Sequence, residues 1–229
     1  MIRHIQGALG ILLREDLGYG AVTDWNFHEP ERRDCFCLNQ FNVRDCSGQG
    51  IYKTADVLKH DPRGLACPKL IPGWNTDLTM EQINQFPIPV DEYTRLKNIV
   101  RMSPFQTRRA FVLGQGLWNN LDMGLTKAWL NSVLEVTREG PNKEAPTLLV
   151  TPNASGKYKQ DKWIVTQGTK ALAIFEEEMG HVAETYGIDS LGTWNMSIQA
   201  TLYDGVHLDM RGNLLKAMMV MNWLAALEA

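Results

Sequence analysis

Apolar residues are spaced very unevenly along this chain. From residue 110 onward they fall into runs and stripes; between 21 and 109 they mostly do not. Ala110–Leu113 is a short apolar run closed by Gly114, the pattern of a strand buried in a parallel sheet. A helix follows, with Leu125, Trp129, Val133 and Val136 on one face. Thr147–Thr151 reads as a second buried strand, stopped by Pro152. The stripe Leu172, Phe175, Met179, Val182 and Tyr186 predicts a helix from about Thr169 to Tyr186. A third short strand is expected at Leu191–Trp194, then a loop through Tyr203–His207. The last helix is expected from about Met210 to Leu227, burying Leu214, Leu215, Met218, Met221 and Leu224. Strands alternating with helices predict an α/β fold with a parallel sheet and helices on both faces.

At the other end, Ile2, Ile5, Leu9 and Leu12 follow a helical period. This helix has no residue ahead of it to act as an N-cap, which suits either a frayed first turn or a chain that begins inside a domain. Between these regions a strand is expected around Cys37–Val43, a helix near Lys53–Lys59, and another from Pro89 to Arg101. Pro62, Pro68, Pro72, Pro87 and Pro89 mark loops there.

The length, 229 residues, suits one α/β domain with a sizeable core. The formal charge of −3 and the lack of a basic stripe argue against a nucleic-acid partner. No apolar run approaches the ~20 residues that span a bilayer, and the N-terminus does not read as a signal peptide. On those grounds alone the protein would be cytoplasmic. The cysteines point the other way. Cys35, Cys37, Cys46 and Cys67 suit disulfides in a loop-rich segment; free thiols, or a metal site with His28, are the alternatives. The sequons Asn153-Ala-Ser155 and Asn195-Met-Ser197 also fit a secretory protein.

Two segments carry candidate chemistry. Asp204-Gly-Val-His207 lies in the loop before the last helix. In a turn, that spacing lets the carboxylate accept from one ring N–H of the imidazole, leaving the other nitrogen to act as a general base. A turn-capping Asp beside an unrelated His is the plainer reading. The second segment, Gly114-Gln-Gly116-Leu-Trp-Asn119-Asn120-Leu-Asp122, comes after the first buried strand. Gly116 allows close backbone approach to a ligand, and Asn119 or Asn120 can donate to a developing oxyanion, an interaction worth ~3 kcal/mol in other enzymes. A glycine-rich turn with a helix N-cap is again the plainer reading. Ser47, Ser103, Ser155 and Ser197 lack the strand–turn–helix setting of a nucleophile. Trp118, beside the asparagines, suits either sugar stacking or a core.

The order of strand, Gly-rich loop with Asn, two further strands, Asp-x-x-His and last helix resembles the SGNH/GDSL hydrolase superfamily. Gly114–Asp122 and Tyr203-Asp-Gly-Val-His-Leu-Asp-Met-Arg-Gly-Asn213 are similar to a branch that includes polysaccharide and sialic-acid O-acetyltransferase-like proteins. The resemblance implies a three-layer α/β/α sandwich of flavodoxin-like type, and ester hydrolysis or acyl transfer on an acylated carbohydrate or small ester, with no cofactor and no metal. It implies that His207 is the acid–base residue and Asp204 its orienting partner. Asn119, with Asn120 as the alternative, would hold the oxyanion, aided by a backbone N–H of Gly48 or Gly50. The family nucleophile is the Ser of a Gly-Asp-Ser block at the end of the first strand. That block and its strand are absent here. Met1-Ile2-Arg3-His4 is similar to the residues just after that Ser, which would put Arg3 near the acyl or sugar group. The expectation is an N-terminally truncated, marginally stable single domain, with the nucleophile, and a signal or anchor, upstream. A catalytically inactive relative that binds a glycan or protein partner is the alternative.

Overall fold

A computed structural model of the chain describes residues 81, 83, 85–102, 109–139, 143–200, 202, 205–208 and 210–227, together with helical positions 2, 5, 8, 9 and 12. It divides into two compact units, Glu81–Val206 and Met1–Met80 with His207–Ala229.

In the first unit, helix α1 (Val90–Met102) begins after Pro89, whose carbonyl accepts from Tyr93 N. Asp91 and Glu92 lie in its first turn and Arg101 in its last, each placed to suit the helix dipole. Leu96 and Val100 are its buried face. Strand β1 (Phe111–Gly114) pairs in parallel with β2 (Thr147–Val150), and β2 with β3 (Asp189–Leu191), in the order β1-β2-β3. The fold is therefore α/β with a parallel sheet. β2 is buried at every position, as a central parallel strand must be. Between β1 and β2 runs helix α2 (Met123–Thr137), started by Asp122, whose Oδ1 accepts from Leu125 N at 2.8 Å. One core unites Leu96 and Val100, Leu113 and Leu149 of the sheet, Trp129 and Leu130 of α2, and Phe175 and Met179. Leu125, expected on the buried face of α2, is exposed; Leu121 and Met123 pack against that core instead.

Two helices join β2 to β3. Helix α3 (Asp161–Gln167) carries no signal in the sequence pattern, because it is exposed from Asp161 to Thr166 and presents no apolar stripe to the core. It meets α4 (Thr169–Tyr186) at Gly168, where a Cβ would lie 2.3 Å from the Ile164 carbonyl oxygen. α4 ends in a Schellman motif: Gly187 takes φ 61°, its N–H donates to Glu184 O, and Ile188 N donates to Ala183 O. This turn delivers the chain straight into β3, which therefore occupies Asp189–Leu191 rather than Leu191–Trp194. Trp194 instead opens a short helix, α5 (Trp194–Ser197).

In the second unit, helical backbone at Ile2, Ile5, Leu9 and Leu12 matches the expected stripe, and Ile5 and Leu9 are buried, as is Ala8 between them. Helix α6 (Met210–Ala226) lies where expected, but with a different buried face. Leu214, Ala217 and Val220 are buried with Asn213 and Lys216, whereas Leu215 and Met218 are 47% and 50% exposed. The helix is apolar on several sides, so its period leaves the rotation open; Asn213 Nδ2, donating to Leu208 O at 2.8 Å, ties that face down. Among the described residues, no helix is long and apolar enough to cross a membrane.

Candidate functional site

The loop after β1 folds back on itself through three backbone bonds. Asn120 N donates to Leu117 O, Leu121 N to Gly116 O, and Asp122 N to Asn119 O. Gly116 takes φ 138°, and a Cβ there would meet Pro152 Cγ at 2.8 Å and Phe175 Cε1 at 2.9 Å. The loop after β1 is thus pressed onto Pro152, two residues past β2, and onto Phe175 of α4, and only glycine permits the approach. Asn120 and Leu121 both hold left-handed backbone, φ 58° and 61°, an uncommon state for two successive residues with side chains.

The two asparagines are used differently. Asn119 is buried, and its Nδ2 donates to Thr126 Oγ1 at 2.7 Å and to Asp122 O at 3.2 Å. Its amide therefore fastens the loop to the first turn of α2. Asn120 is exposed, and its Oδ1 accepts from Gln167 Nε2 at 3.1 Å. The same Nε2 donates to Leu117 O at 3.1 Å, while Gln167 Oε1 accepts from Lys159 Nζ at 2.8 Å. Both Gln167 and Lys159 are buried.

The loops after β2 and β3 are joined by a carboxylate. Glu176 Oε2 accepts from Thr151 Oγ1, from Thr193 N at 2.7 Å and from Trp194 N at 2.9 Å. It so caps the start of α5 and holds both strand ends. Thr193 Oγ1 donates back to Thr151 O at 2.7 Å. Ser197 is spent on structure: its Oγ accepts from Ala154 N and donates to Thr193 O.

The segment leading to His207 is fixed to the loop after β2. Asn153 Nδ2 donates to Val206 O at 2.9 Å, and Gly156 N donates to Gly205 O at 3.0 Å. Gly205 has φ 82°, and a Cβ on it would fall 2.1 Å from Lys159 N. His207 itself is half-buried.

Gly116, Asn119 and Asn120 are thus gathered in one loop at the carboxyl end of β1. Asp204, Arg3, Gly48 and Gly50 lie outside the described residues, as do Cys35, Cys37, Cys46, Cys67 and His28. Trp118 is 71% exposed, which favours a surface role over a core one. Sequence reasoning missed Lys159, Gln167, Asn153 and Glu176. Asn153 and Glu176 stand beside recognisable elements, one just past a strand and one on a predicted helix, but no spacing rule links them to partners so far along the chain.

No protein-family model matches the chain, and no curated protein matches it in sequence. Among solved structures it is similar to the crystal structure of Est24, a carbohydrate acetylesterase from Sinorhizobium meliloti, with a TM-score of 0.47 and 14% identity over 65% of this chain and 73% of that one.

Proposed function

We propose that the chain carries the acid–base half of an SGNH-type serine esterase or O-acyltransferase, acting on an acetylated carbohydrate. The observation that supports this most is the attachment of Gly205 and Val206 to the loop after β2. The residue before His207 is thereby tied to a strand's carboxyl end, where parallel α/β sheets bind their ligands.

In this reading, Asp204 accepts from one ring N–H of His207 and fixes its tautomer. A serine nucleophile of the kind the resemblance implies attacks the acetyl carbon while His207 takes its proton. The carbonyl π pair moves onto oxygen, and collapse of the intermediate expels the sugar oxygen, which receives that proton from His207. Water or an acceptor hydroxyl then repeats the sequence on the acyl-enzyme. Asn120 is the better oxyanion donor of the two asparagines, because Asn119 Nδ2 is spent on Thr126 and Asp122. Trp118, next to it and exposed, offers a face for the sugar.

The test is p-nitrophenyl acetate turnover by this chain and by the chain extended upstream through its own gene, each with a His207→Ala control. Turnover in the extended form that His207→Ala abolishes is expected. No His207-dependent turnover in either form would overturn the proposal.

A further inference from the structure

The buried Lys159–Gln167 pair lies outside the acid–base and nucleophile roles, yet it reaches the loop that carries Asn120. Its chemistry has a direction. An ammonium has donors and no acceptor, so the group of Gln167 facing Lys159 Nζ must be its carbonyl oxygen. Its NH2 is then turned toward the loop, where it meets two acceptors, Leu117 O and Asn120 Oδ1. Because that NH2 only donates, Asn120 must present its oxygen inward and its own NH2 outward. One buried cation thus sets two amides in series.

We infer that Gln167 is a positioning residue, oriented by Lys159, which fixes the amide of Asn120 so that its Nδ2 faces away from the protein and toward an oxyanion. The orientation stands on hydrogen bonding alone; its consequence for rate rests on the ester chemistry proposed above. Gln167 also holds Leu117 O, on the turn whose Asn120 and Leu121 take the uncommon left-handed backbone. The pair therefore fixes both the turn and the side chain it displays.

Gln167→Glu reverses the direction at constant shape. A carboxylate accepts from Lys159 and can only accept from Asn120, so the Asn120 amide must turn its NH2 inward. The experiment is side-chain amide NMR on the whole chain, selectively 15N-labelled at Asn, with Asn120→Ala to assign the Asn120 pair. In the native protein those protons are expected to exchange rapidly with water. In Gln167→Glu they should move downfield and exchange more slowly. An unchanged Asn120 resonance and exchange rate would overturn the inference.

A surface variant gives the converse. With Gln labelling, Asn120→Asp keeps the acceptor and should leave the Gln167 Nε2 protons slow to exchange, whereas Asn120→Ala should speed them. Equal exchange in the two variants would also overturn the inference. In a form that turns over esters, Gln167→Glu should lower kcat on the order of 10²-fold with KM held, and adding Asn120→Ala should lower it no further. Independent, additive losses would contradict the coupling. If no form turns over, the ester reading fails while the NMR result still decides the orientation.

Discussion

Gly205→Ala should be among the most damaging small substitutions in the Glu81–Val206 unit. The added methyl carbon would sit 2.1 Å from Lys159 N, 2.5 Å from Lys159 Cα and 2.5 Å from Tyr158 C. All three are backbone atoms, so no rotamer change relieves the clash. The residue also holds φ 82°, which alanine rarely adopts. Backbone strain costs about 1–3 kcal/mol and overpacking about as much. Separating the segments would also break the Gly156 N to Gly205 O bond, worth about 1 kcal/mol. The expected loss is on the order of 3–7 kcal/mol, a large share of a typical domain's stability. Gly180 is the internal control. It lies within α4, and an added Cβ there would meet nothing within 4 Å, so Gly180→Ala should add about 0.5–1 kcal/mol through helix propensity. Urea unfolding followed by far-UV circular dichroism measures both. A Gly205→Ala loss below about 1.5 kcal/mol, or a Gly180→Ala loss of similar size, would refute the packing described for that turn.

Glu176→Ala removes the acceptor of Trp194 N and one of the two acceptors of Thr193 N, which keeps Thr151 Oγ1, and should cost about 1–3 kcal/mol in urea unfolding; a neutral result would show that carboxylate to be dispensable. Glu139 is held below the usual carboxylate range by hydrogen bonds from Arg101 and then Lys97, which reach it from α1. The unfolded chain binds that proton at higher pH than the folded one does. The stabilisation is therefore complete above the ordinary carboxylate range and drains as pH falls through the lowered folded value. Glu139→Gln should flatten this part of the stability profile between neutral pH and about pH 3, with a smaller difference in high salt; parallel profiles would contradict it.

Where the chain buries continuous runs or a single stripe, the sequence is enough. Phe111–Gly114, Thr147–Val150 and α4 stand where their apolar patterns put them. The pattern is silent where burial is not the cause of structure. α3 shows solvent most of its surface and is held at its C-terminal end by Gln167 and Gly168, so no periodicity marks it. It is ambiguous where too much is apolar, as on α6, where Leu215 and Met218 turn outward and Lys216 inward. The register of β3 depends on the turn at Gly187, a local geometry that outweighs the attractive run Leu191–Trp194.

The site shows the same division. The glycines and asparagines after β1 are visible as a motif, but which asparagine faces outward is not, because that is decided by Thr126 on one side and Gln167 on the other. Lys159 and Gln167 look like solvated polar residues in the sequence. Only the packing of the loop after β2 against α3 buries them and gives them a common purpose.

Whether Asp204 and His207 act as one acid–base unit, the central claim, can be tested without the nucleophile. Proton NMR of the chain in water, with 15N-labelled histidine, should show a strongly downfield ring N–H on His207. That proton should disappear in His207→Ala and shift upfield in Asp204→Asn. A His207 ring with no such proton, or one indifferent to Asp204→Asn, would contradict the account.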